Sequence, residues 1–159
     1  MKRHEITENT DSLILTHEYF MQQALKEARK AFESEEIPIG CVVVQNNRII
    51  GKGHNQTEKL NDATAHAEML AITAATNYLG SKYLEECTVY ITIEPCTMCA
   101  GALFWARPEL VVFGASEPKV GFTRHHKPIL HPKTKVLAGC LEKDCADLMK
   151  KFFVNSRIQ

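Results

Sequence analysis

The sequence predicts an α/β fold in three layers, with a mixed central sheet of about five strands and helices on both faces. Segments of helical periodicity alternate along the chain with short β-branched runs. The first two runs flank Asn46-Asn47, a dipeptide suited to a tight hairpin, and so supply an antiparallel pair. The later runs are separated by helical segments, which calls for parallel crossovers.

Residues 1–15 are polar, carry scattered charge and show no period, so they read as an N-terminal extension, with residues 16–159 as a single domain. From Thr16 to Glu33, Phe20, Ala24, Ala28, Ala31 and Phe32 recur at helical steps and define an amphipathic helix. Ile37-Pro38-Ile39-Gly40 turns the chain into the hairpin strands Cys41-Val42-Val43-Val44 and Arg48-Ile49-Ile50. Gly51 to Asp62 reads as a polar connector. Its Asn55-Gln56-Thr57 sequon is idle in a chain that never meets the glycosylation machinery. Thr64 is the expected N-cap of a helix running from Ala65 to Leu79, with Gly80 as its left-handed stop. Cys87 to Ile93 is a strand feeding straight into a second helix, with Pro95 expected at the first helical position and Pro108 beyond its end. Leu110 to Gly114 is a further strand, Val136-Leu137-Ala138 a short one, and Leu141 to Arg157 a closing helix bearing Leu148, Phe152 and Phe153.

Composition limits what such a fold does. A chain of 159 residues with 45% hydrophobic content supports one core. It has no apolar run of membrane-spanning length, and its start, Met-Lys-Arg-His-Glu-Ile-Thr-Glu, lacks the hydrophobic segment of a signal peptide, so a cytoplasmic protein with no membrane partner is expected. Cys41, Cys87, Cys140 and Cys145 then read as small apolar residues rather than disulfide partners. The formal net charge of zero argues against indiscriminate coating of nucleic acid. The distribution is uneven: between Glu117 and Glu142 there is no acid, while Lys119, Arg124, Lys127, Lys133, Lys135, His125, His126 and His131 fall inside. That segment could hold phosphates or be a solvated loop.

The chemistry concentrates in Thr64-Ala65-His66-Ala67-Glu68 and Glu94-Pro95-Cys96-Thr97-Met98-Cys99. His66, Cys96 and Cys99 are ligands that suit Zn²⁺, and three rather than four leave a tetrahedral position open for water, the mark of a catalytic metal. Cys96 and Cys99 are spaced to share one face of a helix's first turn, where the helix dipole favours thiolates. His66 and Glu68 are separated by roughly 200° in a regular helix, so they converge only at a helix start. Glu68 is not a ligand and is free to move protons. A lone Cys-x-x-Cys also fits a redox pair, and a lone His-x-Glu an ordinary surface; the joint pattern is the signature of zinc nucleobase deaminases.

On these residues, together with Glu36-Ile37-Pro38-Ile39-Gly40, His54-Asn55, Met98 to Ala102, Val111 to Ala115, Leu130-His131-Pro132 and Phe152-Phe153, the chain resembles bacterial tRNA-specific adenosine deaminases of the cytidine-deaminase-like superfamily, from Tyr19 to Phe153. The resemblance implies a homodimer with one Zn²⁺ per chain that hydrolyses adenosine to inosine at the wobble position of a tRNA anticodon stem-loop. It further implies that His66, Cys96 and Cys99 hold the metal, that Glu68 is catalytic, and that Asn55, Ile37, Ala67 and Glu117 contact substrate. Glu117 stands where the family usually has Asp, one methylene shorter, and the tail after Phe153 is less basic than in well-known members. Trp105-Ala106-Arg107-Pro108 is also similar to guanine deaminases of the superfamily, so a free-base or nucleoside deaminase is the alternative. A catalytically silent zinc-stabilised binding protein is a third reading, which Glu68 disfavours.

Overall fold

The computed structural model describes residues 15–158. Its elements are α1 (His17–Glu33), β1 (Gly40–Gln45), β2 (Arg48–His54), α2 (Ala67–Leu79), β3 (Cys87–Ile93), α3 (Thr97–Ala106), β4 (Leu110–Ala115), a short 3₁₀ turn (Phe122–Arg124), β5 (Lys135–Ala138) and α4 (Glu142–Ile158). The strands form one sheet in the order β2-β1-β3-β4-β5. β1 pairs antiparallel with β2 and β3, while β3, β4 and β5 run parallel. The mixed sheet is as expected. Of the N-terminal extension only Leu15 falls within the described residues; its amide donates to Asn47 Oδ1 at 3.2 Å.

Alternation along the strands divides the core between two faces. Cys41, Val43, Val89, Ile91, Val111 and Phe113 point to the side packed by Ala67, Ala71 and Ala75 of α2 and Ala100 and Leu103 of α3. Val42, Val44, Tyr90 and Val112 point to the side packed by Phe20, Met21, Ala24 and Leu25 of α1 and Cys145 of α4. Cys41, Cys87, Cys140 and Cys145 are buried free thiols. Burial pushes the Cys145 thiol up to about 12 and the Cys87 thiol up to about 11, so both stay protonated. No helix among the described residues is long and apolar enough to cross a membrane.

Asn46 and Asn47 both take positive φ, 49° and 62°, as a two-residue hairpin turn with the twist of its strands requires. Gly80 closes α2 in the left-handed region at φ 64°. Three boundaries differ from expectation. β2 does not stop at Ile50 but continues through Gly51 and Gly53 to His54. These glycines belong to the strand because α2 lies directly on it: a Cβ at Gly53 would sit 2.3 Å from the Ala67 carbonyl oxygen, and one at Gly51 2.6 Å from that of Ala71. Thr64 does not cap α2. Its hydroxyl and amide both donate to Asp62 Oδ1, at 2.7 and 2.8 Å, and the cap position falls to His66. Pro95 is likewise outside α3, whose cap is Cys96. There the Phe122 amide donates to the Pro95 carbonyl at 3.0 Å, and Cys96 bridges Gly121, which keeps the stretch extended.

Candidate active site

The parallel strands β3 and β4 deliver their carboxyl ends to one edge of the sheet, the place where open α/β sheets bind ligands. β3 exits at Ile93 into Glu94-Pro95-Cys96, and the chain after β4 returns across it as the loop 116–124. From the other side the loop after β2 brings in His66. That loop is held by Asp62, whose carboxylate is pulled below the usual range chiefly by the Thr64 hydroxyl and then by the Thr64 amide. It is also held by Glu36, a carboxylate only 2% exposed that accepts the Lys59 amide at 2.7 Å and the Glu58 amide at 3.3 Å.

His66 Nδ1 lies 3.6 Å from Cys96 Sγ and 3.5 Å from Cys99 Sγ. The ligand atoms of His66, Cys96 and Cys99 all fall within 4.8 Å of one another, and this is the one such group of three or more metal-ligating side chains among the described residues. One borderline-soft cation between an imidazole and two sulfurs matches this donor set. The electrostatics agree. Hydrogen bonds from the Cys99 thiol first, and then from His66, bring the Cys96 thiol down to about 4 against the opposing effect of burial. The bond to Cys96 also raises His66, and the same shared proton together with burial raises Cys99. Of the two sulfurs, Cys96 is the one favoured to give up its proton.

Glu68 stands in the first turn of α2 at 3% exposure. Burial raises its carboxyl above the ordinary value, opposed by its own amide and by Cys99. A carboxyl lifted toward neutrality beside a metal-ligand cluster is suited to accept and return protons.

A cleft of about 480 Å³ opens over this cluster, lined by His66, Glu68, Cys96, Ile37, Glu117 and Lys119 and closed by Met149 and Phe153 of α4. Ile37 and Glu117 line the same cleft as His66, Glu68 and Cys96. Asn55 is 5% exposed and falls outside the cleft lining; its backbone amide donates to the Ile39 carbonyl at 3.1 Å and its Oδ1 accepts the Thr57 amide at 3.4 Å. The Ala67 side chain is fully buried in the core under α2, leaving its first-turn amide as the group without an intrahelical partner. A larger groove of about 770 Å³ lies at the opposite end of the strands, among Glu85, Glu86, Arg107, Glu109 and Lys133, and holds none of this chemistry. Glu94 stands in the motif Glu94-Pro95-Cys96, but the sequence assigns it no role. Its carboxylate is 5% exposed, and an acid at the exit of an otherwise apolar strand was the available signal.

The zinc-binding region of cytidine and deoxycytidylate deaminases matches residues 15–115. The chain belongs to this family. A tRNA-specific adenosine deaminase of Streptococcus pyogenes serotype M18 (strain MGAS8232) is 46% identical to this deaminase-family chain over 144 residues, covering 87% of this chain and 91% of its own. A solved tRNA:A34 deaminase, from work on A-to-I editing at the wobble position of transfer RNA, superposes with a TM-score of 0.77 at 41% identity, covering 82% of this chain and 98% of its own. A guanine deaminase of Bacillus subtilis superposes with a TM-score of 0.62 at 40% identity, covering 64% of this chain and 66% of its own. The mixed five-stranded α/β fold is the cytidine-deaminase-like one, as the first superposition shows.

Proposed function

We propose that this protein is a zinc-dependent hydrolase that deaminates adenosine to inosine at the wobble position of a tRNA anticodon. The observation that carries the reading is the convergence of His66, Cys96, Cys99 and Glu68 under one cleft, in a chain matched over nearly its whole length by relatives named for that activity. His66, Cys96 and Cys99 would hold one Zn²⁺ per chain. When bound, it supplies a water acidic enough to lose a proton near neutral pH.

The protein's own groups do the rest. Glu68 takes a proton from the attacking water and passes it to purine N1, making C6 electrophilic. Oxygen adds at C6. Glu68 then carries the remaining hydroxyl proton to the exocyclic amine, the C6–N bond breaks, and ammonia and inosine result. Ile37 walls the base, Glu117 and Asn55 reach the sugar and base edges, and the Ala67 amide donates into the cleft. The target base is unpaired in an anticodon loop, so drawing it out of the stack costs little. Protein synthesis places this tRNA chemistry in the cytoplasm. Trp105, 70% exposed, and Met98, 37% exposed, leave α3 with an apolar face that suits burial between two copies of the chain, and we assign a homodimer on that ground.

The likeness to a guanine deaminase supports a second reading, in which the same cleft takes a free base. Incubation with an anticodon stem-loop carrying A at the wobble position, beside free guanine, adenine and cytosine, separates the two. Inosine in the RNA alone is the expected result; ammonia from a free base alone moves the protein to the second reading.

A further inference from the structure

Glu94 is bonded to neither end of its own strand's helix but to the loop opposite. Its Oε1 accepts the Glu117 amide at 3.2 Å, and its Oε2 accepts both the Thr123 amide at 3.0 Å and the Thr123 hydroxyl at 2.9 Å. One buried carboxylate therefore grips the loop near both ends, and the segment between, Glu117 to Val120, forms a wall of the cleft. Gly121 makes the approach possible: a Cβ there would lie 2.1 Å from Glu94 Oε2. The main chain adds to the grip. The Glu94 amide donates to the Ala115 carbonyl at 2.8 Å, the Gly121 amide to the Glu117 carbonyl at 3.0 Å, and the Phe122 amide to the Pro95 carbonyl at 3.0 Å. Arg124 folds back to donate to the Lys119 carbonyl, which stiffens the loop from within.

We infer that Glu94 is a positioning residue that ties the substrate-facing wall Glu117–Val120 to the ligand Cys96, two residues further along the chain. The inference rests on the deaminase reading of the cleft. Glu94 sits at the cleft's edge, but both its carboxylate oxygens are taken up by donors of the loop, so it acts through the loop. Its place calls for acceptor oxygens on both sides, since backbone N–H groups of Glu117 and Thr123 face one oxygen each. A glutamine in the same position accepts on one side and sets its own N–H₂ against a donor on the other, whichever way it is turned.

The test compares Glu94→Gln, Glu94→Ala and Thr123→Val with wild type, reading zinc content, stem-loop KM and kcat. Tyr90→Phe serves as the stability control, since it removes only the 2.7 Å bond to His17 Nδ1 on the far face of the sheet. The expected result for Glu94→Gln is full zinc content, a KM raised by ~10-fold and kcat within about twofold of wild type. Thr123→Val raises KM by about threefold alone and adds little on top of Glu94→Gln, since both break one clamp. Tyr90→Phe lowers Tm with KM unchanged. A wild-type KM in Glu94→Gln, or losses confined to zinc content or kcat, overturns the inference. Should Glu94→Gln not accumulate as folded protein, Thr123→Val carries the test, and a wild-type KM there is equally fatal. The two layers fail differently: absence of inosine from the wild type defeats the proposed substrate, whereas inosine with an unaltered KM from the clamp variants defeats the role given to Glu94.

Discussion

His66 and Glu68 are two residues apart but on opposite sides of a helix boundary: His66 is extended at φ −72°, ψ 155° as the cap of α2, and Glu68 lies in the first turn. The boundary is what lets both line one cleft. It also sets them apart for the proposed roles, one nitrogen for the metal and one carboxyl for protons.

Glu68→Ala is accordingly expected to abolish turnover while leaving the metal in place. The loss of a positioned general acid and base corresponds to roughly 10²–10⁴-fold in rate. Metal analysis of the purified variant and an inosine assay on the stem-loop check both halves; a variant that loses zinc, or keeps full activity, contradicts the role assigned here.

Glu68 also sets a pH dependence in the metal-free protein. Its folded carboxyl is raised above the unfolded value by burial. The folded state thus holds the proton more tightly, and this contribution to stability is present below the unfolded pKa and lost as pH rises through the folded one. Glu68→Gln carries no titrating proton. Denaturant midpoints measured with chelator present should show wild type falling relative to Glu68→Gln as pH is raised from 4 toward 8 (about one range of carboxylate titration). A constant gap across that range would mean that Glu68 is not held in its raised state.

The basic segment is divided by the fold. Lys119 lies on the cleft wall, whereas Lys133 lies in the groove at the far end of the strands and Lys135 pairs with Leu110 at the start of β4. Lys119→Ala is expected to weaken stem-loop binding and to flatten its log-log salt dependence by about 0.7–0.9. Lys133→Ala should leave both within error. Fluorescence anisotropy at two salt concentrations decides, and equal effects from the two lysines would restore a continuous phosphate surface over 119–135.

Gly53→Ala tests the contact that seats α2. With a Cβ 2.3 Å from the Ala67 carbonyl oxygen and 2.7 Å from the Ala71 amide nitrogen, backbone rather than a side-chain tip must move. A loss of about 1–3 kcal/mol in stability is expected, with zinc content falling too because His66 caps the displaced helix. Unchanged melting together with full zinc loading would show that α2 accommodates the methyl group elsewhere.

Much of this fold is legible in the chain. Cys87 to Ile93 is a strand in sequence and in structure because a continuous β-branched and aromatic run between two packed layers leaves no other arrangement. That His66, Cys96 and Cys99 come together was legible from the joint His-x-Glu and Cys-x-x-Cys pattern. The helix starts were not. His66 and Cys96 cap their helices with no side-chain hydrogen bond, so neither carries the usual signal, and what holds Cys96 extended is a loop some 25 residues later (Gly121 and Phe122). Gly51 and Gly53 misled for a related reason. In sequence they read as punctuation, and only the helix lying on them makes them strand. The basic segment looked continuous because charge patterning says nothing about which end of a sheet a residue reaches.

β3 lies at the middle of the sheet, antiparallel to β1 and parallel to β4, and the cysteine pair follows directly from its end. Closing the β3–β4 pairing takes a crossover through α3, and bringing in His66 takes the preceding α2 crossover as well. His66, Cys96 and Cys99 therefore meet only once the long-range pairings have formed, expected to be the slow part of folding for such a topology. A metal bound there would strengthen contacts expected to form after the folding transition state. Its benefit accrues to the lifetime of the finished protein, through slower unfolding, rather than to the speed with which the nascent chain reaches it.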